Sequence, residues 1–376
     1  MIKAYRYKIK PTMKQQKQLS QMFGCVRFIY NWGLNRKVEA YKKDKTSIGY
    51  VQLAKELTQF KKQENASWLN ECSLEALQQS LRCLDNAYTR FFKQKKGFPK
   101  FKSKKNHKDS VKFIKCVHFD FNTWKVKVPK IGWVKLCENQ IWNQATCKQG
   151  TLTITRDSCG TYWCSIVIDD MQTQKPKAKV SEETAVGIDL GIKDYAILSD
   201  GTKYGNPKFL EKGQSEIKRL QMRLSKKQKN SKNRERLRLK IAKKHRAIAN
   251  RRSDFCHKLS TLLISNFDTI CIEDLNVQGM EKNRHLANSI QSCAWATFRN
   301  MLVYKSEREG KNVIFIGRFE PSSKTCSECG YINKNLSLSD REWICPKCGT
   351  HHDRDINAAV NIKDFGLHPQ SLASSQ

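Results

Sequence analysis

The sequence predicts a multidomain α/β chain. A helical bundle and a small β-barrel are expected in its first half, and alternating strands and helices around a metal-held ribbon in its second. Three observations predict this. Apolar residues recur every three to four positions over 10–95, then at every second position over 111–169. From residue 184 onward, short buried-type strands alternate with helical stretches. Near the C-terminus, four cysteines form two Cys-x-x-Cys-Gly knuckles. At roughly 150 residues per domain, a chain of 376 residues holds two or three domains.

Taken in order, residues 2–9 alternate as a strand that Pro11-Thr12 ends. Leu19, Phe23, Val26, Ile29 and Leu34 then keep helical spacing, as do Val51, Leu53, Ala54, Leu57 and Phe60. Leu74, Leu77, Leu81, Leu84, Tyr88 and Phe91 give the clearest amphipathic stripe of this part. Gln78, Gln79, Arg82 and Arg90 lie off that stripe and face either DNA or water. Gly97 and Pro99 end the helix inside a basic, aromatic-interleaved stretch, 93–102, which suits a phosphate contact or an exposed linker equally. A helical domain is therefore expected over 10–103. A barrel is expected from 1–9 and 104–170, in which Phe119, Phe121, Trp124, Val126 and Val128 alternate and Asp157-Ser158-Cys159-Gly160 turns one strand into the next. Residues 171–183, polar and interrupted by Pro176, read as a linker.

In the second half, Val186 to Gly201 reads as strand, turn and strand, Thr269 to Leu275 as a buried strand, Cys293 to Glu309 as a helix and Val313 to Ile316 as a strand. A last helix is expected near Asp355, and a disordered tail over 366–376.

Lys plus Arg is 70 and Asp plus Glu is 35, so the formal charge is +35, spread along the chain rather than held in one tail. A charge of that size repels itself in a compact state unless a polyanion is present, which points to a nucleic-acid partner. The aromatic content and a hydrophobic fraction of 39% exclude wholesale disorder. No run approaches the roughly 18 apolar residues of a membrane span. Lys3, Arg6, Lys8 and Lys10 have no apolar segment behind them, so no signal peptide is expected. The sequence reads as a soluble intracellular protein. The charge peaks over 212–252, with 17 Lys or Arg against 2 acids, too many for self-contained salt bridges. Ile217, Leu220, Leu224, Leu237, Ile241 and Ile248 keep helical spacing inside it, so a two-helix hairpin lying along phosphate backbones is expected. Its candidate contacts are Lys226, Lys227, Lys229, Lys232, Arg234, Arg236, Lys243, Lys244, Arg251 and Arg252.

Fifteen cysteines, an odd number, argue against a secreted disulfide framework. Eleven are scattered singly (Cys25, Cys72, Cys83, Cys116, Cys137, Cys147, Cys159, Cys164, Cys256, Cys271 and Cys293) and read as small hydrophobes in a reducing compartment. Cys326, Cys329, Cys345 and Cys348 differ: two tight turns present four thiolates, a donor set suited to structural Zn²⁺. Four ligands suffice, which leaves His351 and His352 as spectators.

Three carboxylates stand at strand or helix ends: Asp189 in Val186-Gly187-Ile188-Asp189-Leu190-Gly191, Glu273 closing Thr269-Ile270-Cys271-Ile272-Glu273, and Asp355 in Asp353-Arg354-Asp355. Singly, each has a bland explanation as a turn residue, a surface strand end or a helix cap. Together they fit a ribonuclease-H-like cluster holding Mg²⁺ or Mn²⁺ for two-metal phosphodiester cleavage. The glycines beside Asp189 leave room for a bulky ligand.

These residues resemble the TnpB (OrfB) family, transposon-encoded RNA-guided DNA endonucleases related to the type V CRISPR effectors. The resemblance spans nearly the whole chain. It rests on Tyr7-x-Ile9-x-Pro11-Thr12, Arg27-Phe28-Ile29-Tyr30-Asn31-Trp32 and Gly97-Phe98-Pro99-Lys100-Phe101-Lys102, and more specifically on Gly187-Ile188-Asp189-Leu190-Gly191, Ile272-Glu273-Asp274-Leu275, both knuckles and Asp353-Arg354-Asp355-Ile356-Asn357-Ala358-Ala359. It implies a RuvC nuclease domain over 184–320 that resumes at 351–365 after a zinc ribbon insert at 321–350, a wedge-like β-barrel and a helical recognition domain. It implies catalytic carboxylates at Asp189, Glu273 and Asp355, with Asp353 as the neighbouring alternative. It also implies a guide RNA from the transposon end, a double-stranded DNA target cut beside a short flanking motif, and a monomer within a ribonucleoprotein at the prokaryotic nucleoid in the cytoplasm. A nuclease-inactive RNA-guided repressor and a strand-joining transposase are the competing functions.

Overall fold

Pro11 and Thr12 separate the first strand from the first helix in the computed structural model, which describes residues 1–104, 108–114, 118–137, 142, 146–171, 173, 175–280, 287–318, 320–337 and 339–369. Strand β1 (Ile2–Lys10) stops at Pro11, and Thr12 opens helix α1 (Met13–Asp44) through a capping box. The Gln15 amide donates to Thr12 Oγ1 (3.3 Å), while the Thr12 amide donates to Gln15 Oε1 (3.0 Å). Helix α2 (Tyr50–Phe60), a 3-10 stretch (Glu64–Glu71) and α3 (Leu74–Gln94) complete the bundle. Leu19, Phe23, Ile29 and Leu34 of α1 are buried, as are Leu77, Leu81 and Leu84 of α3. Each such burial stabilises by roughly 2 kcal/mol. Helix α3 ends earlier than Gly97: Lys95 itself takes the left-handed cap conformation at φ 49°. The basic stretch that follows folds back on the bundle. Phe98 meets the rings of Tyr88 and Phe91 edge-on (5.6 and 5.4 Å), and Lys102 Nζ sits 3.8 Å from the centre of the Tyr30 ring. Asn31 fixes the Lys102 backbone on both sides, accepting from its N–H (2.8 Å) and donating to its carbonyl (2.9 Å).

Strands β2 (Asp109–Phe113), β3 (His118–Asp120), β4 (Lys125–Val128), β5 (Gly132–Leu136), β6 (Lys148–Arg156) and β7 (Tyr162–Asp169) join β1 in a seven-stranded antiparallel sheet, in the order β2-β6-β7-β1-β5-β4-β3. Among the described residues the strand order runs from β2 to β3, and β3 has three residues, all paired with β4. The turn at Asp157 forms as expected, its carboxylate accepting from the amides of Cys159 (2.8 Å) and Thr161 (2.9 Å). Helices and sheet share one apolar core, including Tyr7, Phe23, Leu81, Phe113 and Ile166, within a unit spanning Met1–Thr173.

The second unit, Gln174–Gln376, begins with β8 (Ala185–Asp189), β9 (Asp194–Leu198) and β10 (Lys203–Gly205). Helices α4 (Phe209–Ser225) and α5 (Lys232–Asn266) follow, then β11 (Thr269–Glu273), α6 (Val277–Met280), α7 (Ala287–Cys293), α8 (Trp295–Glu309) and β12 (Asn312–Ile316). Strands β13 (Glu342–Ile344) and β14 (His351–Asp353) form a ribbon, and α9 (Arg354–Leu367) ends the described elements. The main sheet runs β10-β9-β8-β11-β12, with β8, β11 and β12 parallel. One face packs Ile188, Ile270 and Ile272 against Leu259, Leu263, Phe298 and Leu302 of α5 and α8. The other packs Cys271 and Ile316 against Ile362 and Phe365 of α9.

Two expectations change here. The helix expected from Cys293 is broken at Ala294, which takes φ 54° between α7 and α8. Gly366 and Leu367, expected at the start of the tail, belong to α9; residues 370–376 and Cys116 lie outside the described residues. Among the described residues, no helix is long and apolar enough to cross a membrane.

Candidate active site

Parallel strands deliver two of the three carboxylates to one edge. Ile188 pairs with Ile272 across β8 and β11, so each strand ends on an acid, Asp189 and Glu273. Helix α9 lies against both strands and carries Asp355 in its first turn. Gly187 permits that approach: a Cβ there would fall 2.0 Å from the Ala359 carbonyl oxygen and 2.6 Å from the Lys363 nitrogen. The glycine beside Asp189 therefore admits the protein's own helix, and not the bulky ligand expected from the sequence. A Cβ at Gly191 would likewise meet the Asp194 carbonyl at 2.6 Å.

Burial first, then the negative charges of Glu273 and Asp355, push the Asp189 carboxyl up to about 7, with Arg354 opposing. Glu273 and Asp355 are thus each within electrostatic reach of Asp189. Hard oxygen donors suit a divalent cation such as Mg²⁺ or Mn²⁺, but among the described residues only the four knuckle cysteines, and not these carboxylates, already stand at metal-binding spacing. Asp353 serves differently. Its Oδ1 accepts from the amides of Asp355 (3.0 Å) and Ile356 (3.1 Å), and its Oδ2 meets Lys203 Nζ at 2.5 Å. Burial opposes its ionisation, but Lys203 and those amides hold its carboxyl below the usual range. Asp353 is the N-cap of α9, which leaves Asp355 for the cluster.

Several participants left no clear sequence signal. Ser322 Oγ donates to Glu273 Oε1 at 2.7 Å. Arg341 Nη1 lies 3.4 Å from Asp355 Oδ2. Asp274, next to Glu273, is clamped by Arg318 (2.6 Å) and Arg299 (2.7 Å), whose hydrogen bonds hold its carboxyl low.

The four knuckle cysteines converge, their sulfurs all within 4.8 Å of one another. Cys326–Cys348 and Cys329–Cys345 are separated by 3.6 and 3.5 Å. Zn–S bonds of about 2.3 Å in a tetrahedron require sulfurs about 3.8 Å apart, so the set fits zinc. Gly330 (φ 72°) and Gly349 (φ 75°) close the knuckles in the left-handed conformation that L side chains rarely adopt. His352 lies outside the four-cysteine set but packs against it. It is buried against Trp343, and its Nε2 lies 3.1 Å from Cys326 Sγ, a hydrogen bond whose donor is set by the imidazole tautomer. His351 is exposed.

The basic hairpin forms from α4 and α5. Lys226, Lys227, Lys229, Lys232, Arg236, Lys243 and Arg251 are exposed on it. The other expected contacts already have partners within the chain. Arg234 donates to the carbonyls of Leu224 (2.7 Å) and Lys227 (2.9 Å), closing the turn. Lys244 pairs with Glu216 (2.8 Å), and Arg252 donates to the Gln291 carbonyl (2.8 Å).

Comparisons with known proteins point to one family. A family model for OrfB, described as "Probable transposase", matches residues 168–284. A Cas12f1-like TNB domain model matches 295–362, which includes the cysteine ribbon. A model described as a helix-turn-helix domain matches 1–46, which here hold β1, α1 and the two residues beyond it. The chain is 37% identical to a Streptomyces pristinaespiralis protein named "Putative RNA-guided DNA endonuclease", over 97% of this chain and 89% of that one. It is 31% identical to InsQ of Escherichia coli K12, which bears the same description, over 97% and 92%. Among solved structures it is similar in fold to the protein chain of a cryo-EM complex of Cas12f1 with sgRNA and target DNA, at a TM-score of 0.58 and 13% identity over 96% and 98% of the two chains. Likeness at these levels over nearly the full length means that this chain belongs to the TnpB (OrfB) family of RNA-guided DNA endonucleases.

Proposed function

We propose that this protein cuts double-stranded DNA under the direction of a guide RNA from its transposon end, beside a short flanking motif, by two-metal phosphodiester hydrolysis. The observation that carries the reading is the convergence of Asp189, Glu273 and Asp355 at the ends of β8 and β11 and the start of α9. Divalent cations supply activation of water and neutralisation of the leaving oxygen. In this reading Asp189, Glu273 and Asp355 hold the ions, and Asp353 fixes the first turn of α9 so that Asp355 stays aimed. Cys326, Cys329, Cys345 and Cys348 hold a structural Zn²⁺. The exposed lysines and arginines of the α4–α5 hairpin grip phosphates without reading bases; base pairing to the guide supplies the sequence. The helical part of the first unit serves as recognition domain and its sheet as the wedge.

The test is to purify the protein from cells carrying its native flanking DNA, sequence the RNA that comes with it, and supply a matching duplex target with Mg²⁺. One discrete RNA and guide-dependent cutting support the reading. Heterogeneous RNA removed by salt, or joined strands instead of cut ends, overturns it.

A further inference from the structure

The start of the cysteine ribbon is tied to one of the three carboxylates by a chain of buried polar side chains. Ser322, Asn357 and Asn361 are exposed by only 5%, 3% and 4%. Asn357 and Asn361 lie about one turn apart on one face of α9, and that face holds the segment 322–327. Asn361 Nδ2 donates to the carbonyls of Ser322 (2.7 Å) and Thr325 (2.6 Å). Asn357 Nδ2 donates to the Thr325 carbonyl (2.7 Å), and its Oδ1 accepts from the Ser327 amide (3.0 Å). Cys326 lies inside this grip. At its near end, Ser322 Oγ donates to Glu273 Oε1 (2.7 Å).

A glutamate at the end of a strand has three side-chain torsions, and repulsion from Asp189 opposes its close approach. A hydroxyl bonded to one carboxylate oxygen counters that repulsion and leaves the other oxygen for a ligand. We propose that Ser322 is a positioning residue that holds Glu273 beside Asp189 and Asp355, and that the Asn357–Asn361 pair links the folding of the ribbon to that carboxylate. The proposal rests on Glu273 being a ligand for a divalent cation. Loss of such an outer partner typically weakens metal affinity about 10- to 100-fold.

The test uses full-length, zinc-loaded protein in two forms. In the guide-RNA complex, Ser322→Ala should raise the Mg²⁺ concentration for half-maximal cleavage about 10-fold, with the rate at saturating Mg²⁺ unchanged. In the RNA-free chain, Mn²⁺ affinity followed by electron paramagnetic resonance should fall by the same factor. Zinc content and melting temperature should hold, and Ser322→Thr, which keeps the hydroxyl, should recover the wild-type Mg²⁺ midpoint. An unchanged midpoint and unchanged Mn²⁺ affinity overturn the proposal. So does a lower plateau rate accompanied by zinc loss, which marks a purely structural role. Glu273→Gln separates the two levels of argument. If it abolishes Mn²⁺ binding while Ser322→Ala changes nothing, only the role of Ser322 fails; if it leaves binding intact, the ligand reading of Glu273 fails.

Discussion

Replacing Asp189 by Asn should stabilise the magnesium-free protein near pH 8 and do little near pH 4. Burial and the charges of Glu273 and Asp355 raise the Asp189 carboxyl from 3.8 to about 7. An acid raised on folding binds its proton more tightly in the folded state. Its favourable contribution is therefore complete below the unfolded pKa and is lost as pH climbs through the folded one. A shift from 3.8 to about 7 corresponds to at most about 4 kcal/mol. Asp189 keeps some contact with water, so we expect a gain of about 1–3 kcal/mol for the Asn variant at pH 8. For a unit of this size each kcal/mol moves the midpoint by about 2–4 °C. The assay is thermal melting from pH 4 to pH 8 in magnesium-free, zinc-replete buffer. Magnesium should stabilise the wild type at pH 8 and leave the variant nearly unmoved, since the cation neutralises the charge that the substitution removes. A gain that is the same at pH 4 and pH 8, or a variant that magnesium stabilises as much as the wild type, refutes the electrostatic account of this cluster.

Other consequences are simpler. Asp189→Ala should abolish DNA cutting while guide-RNA binding, measured by gel shift, stays near wild type; retained cutting removes the metal-ligand role. Cys345→Ser should release zinc, measured by atomic absorption, and loosen Gln174–Gln376 to proteolysis; unchanged zinc content defeats the four-thiolate assignment. Replacing Lys226, Lys227 and Lys229 with Ala should reduce the salt slope of nucleic-acid binding by about 2–3 in log–log units, whereas an unchanged slope puts these lysines away from phosphate. Asp353→Ala should destabilise by about 1 kcal/mol through loss of the α9 cap and lower cleavage less than Asp355→Ala does, and the reverse order would exchange their roles.

Much of this arrangement was legible because it rests on local periodicity and spacing. The stripes of α1, α2 and α3, the alternation of β6 and β7, and the glycine-closed knuckles each depend on residues close together in sequence. What depends on distant segments was not legible. Gly187 looked like free space beside Asp189, because nothing local says that residue 359 arrives there from the far end of the chain. Ser322 and Arg341 carried no motif of their own, and His352 was set aside because four cysteines already completed the ligand count. Asn357 and Asn361 did leave a trace: two asparagines four apart on an otherwise apolar helix face signal buried carbonyls that need donors. Arg234, Lys244 and Arg252 could not be told from their exposed neighbours by charge alone.

Helix α9 explains why the ribbon sits where it does in the chain. Two of the acids come from neighbouring parallel strands and are aligned by sheet register alone. The third comes from a helix, and no ladder fixes a helix at the end of a sheet. Three separate constraints do so here. Gly187 sets how closely α9 approaches β8. Asp353, paired with Lys203 of β10, caps its first turn. Asn357 and Asn361 bind it to the segment that leads into the ribbon. On the proposed function, the segment that leads into the ribbon therefore takes part in positioning Asp355. Shortening the ribbon while keeping both strands and all four cysteines should spare zinc binding and still impair cleavage, if the connection to α9 and not the ion itself sets the geometry.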